Sequence, residues 1–500
     1  MTETMTPRAA IAAAVPDPKR WLALGIIAVS QLMIVLDASI VNIALPKAQG
    51  ALHISDADRQ WVVTAYTLAF GGLLLLGGRV ADYLGRKRVL IIGLLGFALA
   101  SAVGGIAVNA GMLFAARALQ GGFAALMAPA ALSLISVTFT EPRERARAFG
   151  VYGAIAGGGA PLGLILGGAL TQYASWRWCL LVNTPIALTA AVAAYLVVRE
   201  SRAEGGTSYD LPGAALITAG LVALVFGFTE AAKPGMGWRS GTTLGLLIAA
   251  VALLIGFVVV ERRAANPLLP LRIALDRNRG GSFLASLLVG AGLFAMFLFL
   301  TYYFQINLHY SALRSGFAFL PFSAGIIVAA GVASQALPRT GPKPLMLGGM
   351  ISATAGLALL LTIGQQTAWV THVLPAEILM SLGLGFVFVP LSSTALVGVG
   401  EHDAGVASAL LNTTQQVGGS LGTALLNTLY AGAVSTYITT HLHAGQDAHA
   451  LQLPAFIHGY HVAFAVGAAL LAAAAIAVAV LVRARKDDLP AEPAALAGAA

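Results

Sequence analysis

The chain has 500 residues, of which 58% are hydrophobic and only 10% are charged. Soluble globular domains carry about a quarter of their residues as charged side chains, so this composition excludes the ordinary soluble classes and indicates a polytopic membrane protein. The single cysteine, Cys179, excludes an internal disulfide and a Cys-rich metal site.

Fourteen apolar runs are long enough to cross a bilayer as helices, the form in which a chain satisfies its own backbone hydrogen bonds. A polar N-terminal stretch, residues 1–20, precedes them and shows no cleavable signal peptide. The predicted spans are 21–45, 60–78, 89–108, 112–137, 146–170, 179–198, 211–229, 242–260, 282–306, 315–336, 345–364, 372–397, 405–430 and 459–483.

The basic residues test this topology. If the N-terminus lies inside, 22 of the 29 Lys and Arg residues fall in cytoplasmic segments, six fall outside, and one, Arg117, falls within a span. Cytoplasmic loops carry such an excess of Lys and Arg. We therefore expect a multi-pass protein of the inner or plasma membrane with both termini in the cytoplasm. The net charge of +8 then follows from topology, and we expect no nucleic-acid partner.

The connection between spans 2 and 3 has the sequence GRVADYLGRKR. Its glycines allow a sharp turn, and its Asp can pair with a neighbouring Arg or lie at a helix end. So ordered a loop favours a cytoplasmic gate, although an ordinary basic topology signal is an alternative. The predicted gate residues are Gly78, Asp82, Gly85, Arg86 and Lys87.

This loop resembles the loop 2–3 signature of the major facilitator superfamily, G-x-L-A-D-R-x-G-R-K-x-x-L, with Val80 for the Leu and Tyr83 for the Arg. Three further segments resemble motifs of its fourteen-helix drug:proton antiporter family. They are LDASIVNIALP over 36–46, RALQGG over 117–122, and GAPLGLILGG over 159–168, where an Ala stands in place of the usual Gly before Pro. The resemblance covers nearly the whole chain.

The resemblance implies an all-α fold of two six-helix bundles with two extra transmembrane helices. We expect an N-terminal bundle over 1–205, two inserted helices over 206–264, and a C-terminal bundle with a cytoplasmic tail over 265–500. Residues 335–343 can be laid over 79–87 as a degenerate second copy of the loop, with Gly341 on Gly85 and Lys343 on Lys87. Two such bundles around a midplane site are typical of alternating-access transporters.

Three ionisable residues are candidates for proton coupling. Asp37 lies mid-span, where a carboxylate is costly unless it is neutral, paired or hydrated. Arg117 faces the same side of its helix as Gln120. The resemblance gives both roles in coupling or switching, and a structural pair or brace is the alternative. Glu377, near the outer end of span 12, is either interfacial or a second protonatable or cation-binding group.

Span 5 holds the predicted antiporter motif, whose small residues at intervals of four permit close helix approach and whose proline can bend the helix. These residues are Gly159, Pro161, Gly163, Gly167 and Gly168. Part of this segment mimics a nucleotide loop, but no strand precedes it and it is apolar, so we reject that interpretation. No Walker A pattern is present, and we expect no cofactor, with a proton gradient as the energy source.

Polar and aromatic residues within spans are weaker candidates for a substrate cavity, with lipid contact or bundle packing as the alternative. They are Asn42, Gln120, Phe297, Tyr303, Gln305 and Asn412. Several histidines flank the last outer loop, but their spacing matches no metal motif, and we expect no metal site.

The predicted function is proton-coupled efflux of hydrophobic or cationic drugs or toxic compounds, and not enzymatic catalysis. The expected partners are these small molecules, protons and the lipid bilayer, with the protein acting as a monomer. The alternatives are a dedicated exporter of one metabolite or antibiotic, an uptake symporter, which the span 5 motif argues against, and a transport-dead sensor.

Overall fold

The computed structural model describes residues 18–202, 210–233, 235–264, 267–365, 367–399, 401–442 and 448–488. Fourteen long helical segments dominate this part of the chain, which contains no β-strand. The first seven are α1 Arg20–Ala51, α2 Trp61–Leu84, α3 Arg86–Gly105, α4 Ala110–Thr138, α5 Pro142–Tyr173, α6 Trp178–Val197 and α7 Leu211–Ala232. The other seven are α8 Gly241–Arg263, α9 Arg277–Asn307, α10 Ala312–Thr340, α11 Pro342–Thr362, α12 Trp369–Ala395, α13 Glu401–His441 and α14 Gln452–Leu481.

Twelve of these helices are long and apolar enough to cross a membrane. The other two, α5 and α13, have 32 and 41 residues and pack among the twelve. The all-α polytopic fold is confirmed, and the helix count agrees with the fourteen predicted spans.

Successive helices alternate in direction, so their connections gather at two ends of the molecule. At one end, Lys87 Nζ donates to the Tyr195 carbonyl oxygen at 2.7 Å, and Arg20 pairs with Glu144 at 2.8 Å. We call this the basic end, since it carries the 78–88 loop. Arg177 lies at the opposite end, where it donates to the carbonyl groups that end α3.

The two halves, α1–α6 and α9–α14, use the same close helix pairs. A Cβ atom on Gly163 of α5 would lie 3.1 Å from the Leu36 carbonyl oxygen of α1. In the second half, Gly422 of α13 meets Ala291 of α9 in the corresponding pair. Small residues at such contacts let helix backbones approach closely, which is how helices associate in a bilayer.

The helices α7 and α8 form a hairpin beside the two halves. The helix α7 packs on α2 of the first half and on α13 of the second. Its Thr229 hydroxyl lies 2.7 Å from the Gln60 amide, and its Phe228 carbonyl accepts from Thr428 at 2.8 Å. The helix α8 packs mainly on α7 and exposes most of its apolar side chains, as expected of a helix that faces lipid. The predicted boundaries at 205/206 and 264/265 fall at or beside residues outside the described part.

Gly77→Leu should lower the melting temperature of the purified protein, because a side chain there would strike the Ala125 carbonyl group of α4. Overpacking of this kind costs about 1–3 kcal/mol. The control is Gly331→Leu, at a helical glycine with nothing within 4 Å of an added Cβ atom. Equal melting temperatures for the two variants would show that the α2–α4 contact tolerates a branched side chain.

Candidate functional site

The centre of the first half holds a buried acid, Asp37 of α1, whose side chain is 0% exposed. Its Oδ2 accepts from Arg117 Nη1 at 2.6 Å. Its Oδ1 accepts from Gln120 Nε2 at 3.0 Å and from Asn183 Nδ2 at 2.8 Å. The carboxylate therefore ties α1 to α4 and α6, with both of its oxygens hydrogen-bonded.

Arg117, 1% exposed, is held from several sides. Its Nε donates to the Val62 carbonyl oxygen at 2.9 Å, and Nη1 also donates to Gln120 Oε1 at 2.8 Å. The guanidinium lies 4.4 Å from the centre of the Tyr66 ring, which adds a cation–π contact. The positive charge thus keeps partners on α2 and α4 besides Asp37.

The sequence identified Asp37, Arg117 and Gln120 but missed their supporting residues. Asn183 donates a further hydrogen bond to Asp37. Ser101 extends the network, because its hydroxyl oxygen accepts from Gln120 Nε2 at 2.8 Å. The available signal was a polar side chain within an apolar span. Gln120, proposed above for the substrate cavity, is 0% exposed and lies inside this network.

The 78–88 loop is shorter than the predicted hairpin. The helix α2 continues to Leu84 and α3 begins at Arg86, so Gly85 alone separates them. Its φ of +110° is a conformation that glycine adopts far more readily than other residues. Asp82 accepts from Arg86 Nη2 at 2.9 Å, the predicted pairing with a neighbouring Arg.

A residue that the sequence did not reveal also fixes this loop. Glu200, just after α6, accepts from the backbone N–H groups of Lys87 at 3.1 Å and Arg88 at 3.3 Å. A carboxylate at these free donors stabilises a helix start. Gly78, in contrast, has only the Pro129 Cβ atom at 3.6 Å from an added Cβ, whereas its neighbour Gly77 makes the close contact with α4.

The second copy of the loop adopts the same geometry. Gly341 has a φ of +77°, as Gly85 has a positive φ, and α11 begins directly after it. Lys343 Nζ donates to the Ala479 carbonyl oxygen at 2.7 Å, as Lys87 does to Tyr195. The correspondence inferred from sequence is therefore present in three dimensions, although the second copy lacks an acid at the place of Asp82.

The glycines of the α5 motif face α1. An added Cβ atom would lie 2.9 Å from Val35 at Gly159, 2.8 Å from Ser39 at Gly163, and 2.8 Å from Ile40 at Gly167. Pro161 lies within α5, between the first two of these glycines. Gly168 faces the other way and would meet Leu313 and Ala312 of α10 at 2.7 and 2.8 Å. The motif therefore contacts both its own half and the other half.

The remaining cavity candidates are scattered. Asn42 and Asn412 each donate to a carbonyl of their own helix, and Asn412 is exposed. Phe297 packs against Phe319 and Phe322 at 5.2 Å within the second half. Tyr303 is 0% exposed and donates to Gly364 at 2.9 Å.

Gln305 alone among these candidates bridges the halves. Its Nε2 donates to the Ile43 carbonyl oxygen of α1 at 2.9 Å. The candidates do not form one continuous lining, and their role in substrate binding stays a prediction.

Glu377 lies in the first turn of the α-helical part of α12 and is 1% exposed. Neither carboxylate oxygen has a hydrogen-bond partner among the described residues. A buried ionisable residue in a membrane-spanning helix is a candidate functional group.

Glu377 occupies the position in the second half that Arg117 occupies in the first. Gly93 follows Gly85 by the same number of residues as Gly349 follows Gly341, so Gly93 and Gly349 are equivalent positions in the two halves. An added Cβ atom would meet the Phe123 carbonyl oxygen at Gly93 and the Gly383 carbonyl oxygen at Gly349. Arg117 precedes Phe123 by the same interval by which Glu377 precedes Gly383. The two halves thus place opposite ionisable groups at equivalent depths.

Comparisons with known proteins agree with this architecture. The puromycin resistance protein pur8 of Streptomyces alboniger is 51% identical over 463 residues, covering 92% of this chain and 91% of that protein. The cephamycin export protein CmcT of Amycolatopsis lactamdurans is 38% identical over 417 residues, covering 83% and 85%. The multidrug resistance protein Stp of Mycobacterium tuberculosis is 31% identical over 410 residues, covering 82% and 76%.

A solved structure shares the fold at low sequence identity. A bacterial homolog of the human lysosomal transporter Spinster, in an inward-facing and unoccupied conformation, superposes with a TM-score of 0.67 and 14% identity, covering 96% of this chain and all of that one. The sequence profile described as Major Facilitator Superfamily matches residues 27–423. The chain therefore belongs to the Major Facilitator Superfamily.

Proposed function

We propose that this protein exports small hydrophobic or cationic toxic compounds, antibiotics among them, in exchange for protons. The observation that carries the proposal is the membrane-buried Asp37–Arg117 pair, in a chain whose relatives are named for antibiotic resistance and export. The basic end lies in the cytoplasm, together with both termini, because Lys and Arg concentrate there. The protein works as a monomer in the cell membrane and needs no cofactor.

Proton exchange acts through the network around Asp37. While Asp37 is ionised, it holds Arg117 of α4 and Asn183 of α6 against α1. Protonation removes the charge that these donors share and weakens the connection between the helices. The proton thereby changes the relative free energies of the inward-facing and outward-facing states, which is the requirement for coupling.

The energy available is sufficient for export. One proton that crosses a membrane potential of about 100 mV releases roughly 2.3 kcal/mol. That energy supports nearly a fifty-fold concentration gradient of a neutral substrate per proton exchanged. A second proton site would multiply the attainable gradient again.

A second candidate function is the dedicated export of one compound. Relatives named for puromycin, cephamycin and lincomycin favour it, since each name refers to a single antibiotic. A relative named for multidrug resistance favours the broader activity. Efflux of puromycin alone, with no efflux of unrelated dyes and drugs, would select the dedicated exporter.

Asp37→Asn should reduce active efflux at least tenfold, because it preserves the size of the side chain and removes the titrating group. Efflux of puromycin and of a fluorescent dye would be followed in cells that lack their own pumps, with and without an uncoupler. The uncoupler should abolish efflux by the unsubstituted protein, and the variant should remain in the membrane at normal levels.

The matched control is Asp487→Asn, at an exposed acid outside the network, which should pump normally. The double variant Asp37→Asn/Arg117→Gln removes the uncompensated charge and should still fail to pump. Efflux at the normal rate by well-folded Asp37→Asn would disprove the coupling role, and efflux that resists the uncoupler would disprove the energy source.

Asp82→Asn should slow turnover more than it weakens ligand binding. The Asp82–Arg86 pair lies at the basic end, far from a midplane site, so it acts on the conformational equilibrium. Affinity and transport rate of purified protein would be compared with those of Asp82→Glu, which retains the charge. A large loss of affinity at an unchanged maximal rate would place Asp82 on the substrate path instead.

Glu377→Gln should lower the number of protons exchanged per substrate. In proteoliposomes, the logarithm of the steady-state substrate gradient would be measured against the imposed proton-motive force. The slope gives the number of protons exchanged per substrate molecule. This number should fall by about one in Glu377→Gln and remain unchanged in Glu377→Asp, which keeps the acid. An unchanged slope in both variants would reduce Glu377 to a structural residue.

A further inference from the structure

Arg59, in the connection between α1 and α2, lies at the opposite end from the basic loops and is only 2% exposed. Its guanidinium lies 4.1 Å from the centre of the Tyr302 ring and 4.8 Å from that of Tyr430. We call Tyr302 and Tyr430 the aromatic cage. Both rings belong to the second half, on α9 and α13, whereas Arg59 belongs to the first.

Polar contacts fix the guanidinium in this position. Its Nε donates to Asn427 Oδ1 of α13 at 3.1 Å, and Asn427 in turn donates to the Asp56 carbonyl oxygen at 2.9 Å. The Asp56 carboxylate lies 3.5 Å from Arg59 Nη1 and is half-exposed. Arg59 Nη2 has no hydrogen-bond partner among the described residues. The cation is thus held by two ring faces and one amide of the other half, and by the Asp56 carboxylate of its own half.

A cavity of about 420 Å³ adjoins the aromatic cage between the two halves. Mostly aromatic side chains of the second half form one wall, and a mixture of polar and apolar residues of the first half, Arg59 among them, forms the other. Its lining includes Gln49, His53, Tyr302, Tyr430, Phe456 and Tyr460. Its size and its concave aromatic wall at a domain interface are typical of small-molecule sites.

We propose that the aromatic cage of Tyr302 and Tyr430 is an exit site for organic cations on the export path, and that Arg59 occupies it whenever the outer side is closed. The inference rests on the export function proposed above. The cage already holds a planar organic cation, the guanidinium itself, at distances typical of cation–π binding. A planar cationic substrate offers the same chemistry to the same two rings.

Alternating access moves one half against the other around a central site. Because Arg59 and the cage lie on different halves, opening of the outer side separates them and leaves the rings free. A cationic substrate then passes over the vacated cage. When the outer side closes, Arg59 returns, and its positive charge expels any remaining cation and prevents its return.

The test is cation binding to purified protein in nanodiscs, with ethidium as a fluorescent probe. Arg59→Gln empties the cage and should bind ethidium at least tenfold more tightly than the unsubstituted protein. Arg59→Lys keeps a cation in the cage and should show no such gain. The double variant Arg59→Gln/Tyr302→Leu removes a ring and should lose the gain, and methylguanidinium should compete only for the gained binding.

Arg177→Gln is the matched control. Arg177 also lies at this end and contacts an aromatic ring, Trp176, at 4.6 Å, but its contacts stay within the first half. This variant should bind ethidium like the unsubstituted protein. Absence of a gain in folded Arg59→Gln, or a gain that survives Tyr302→Leu, would overturn the proposal. Binding is measured without transport, so its outcome is independent of whether cells show proton-coupled efflux.

Discussion

A charge in the hydrocarbon region must be neutralised by a partner, and this constraint organises the first half of the molecule. An unpaired acid or base at the centre of a transmembrane helix costs about 2.5–3.5 kcal/mol even on the most lenient scale. Asp37 and Arg117 avoid this cost only together, and only while α1 and α4 remain in register. Gln120 and Asn183 satisfy the remaining oxygen of Asp37. The relative position of α1, α4 and α6 therefore depends on one ionisable side chain.

Close backbone packing supplies the rigidity that such a movement requires. Glycines bring α5 onto α1 and α13 onto α9, so that each half is a compact bundle of tightly apposed helices. Contacts between the halves are of a different kind. They consist of side-chain hydrogen bonds and ring contacts, such as Arg59 with Asn427 and Gln305 with Ile43. These are exchanged more easily than backbone contacts, so the halves can separate while each remains intact.

The sequence predicted the long helices well, because uninterrupted apolar runs of bilayer length have few alternatives. It also predicted the second loop copy. Gly85 and Gly341 have positive φ angles, which favour glycine, so both turns can be recognised by a glycine at the same place in the sequence. Partners far apart in the chain left no such trace. Asn183 and Glu200 are ordinary polar residues until the fold brings them to Asp37 and to the start of α3. The predicted span 60–78 is shorter than α2, which continues to Leu84. The apolar run ends before the helix does, because the last helical turns carry charged residues.

The two halves share a plan but not a charge distribution. At equivalent depths, the first half carries a cation with a paired acid, and the second carries Glu377, whose carboxylate has no hydrogen-bond partner in the described part of the chain. At the far end the relation is reversed, since the first half contributes the cation Arg59 and the second contributes neutral groups to hold it, two tyrosine rings and the Asn427 amide. Symmetric halves would respond alike to a proton or to a cation. These halves differ in charge at both depths, so in the proposed exchange protonation and cation binding would each favour one arrangement of the halves over the other, which would allow the two events to be coupled in opposite directions.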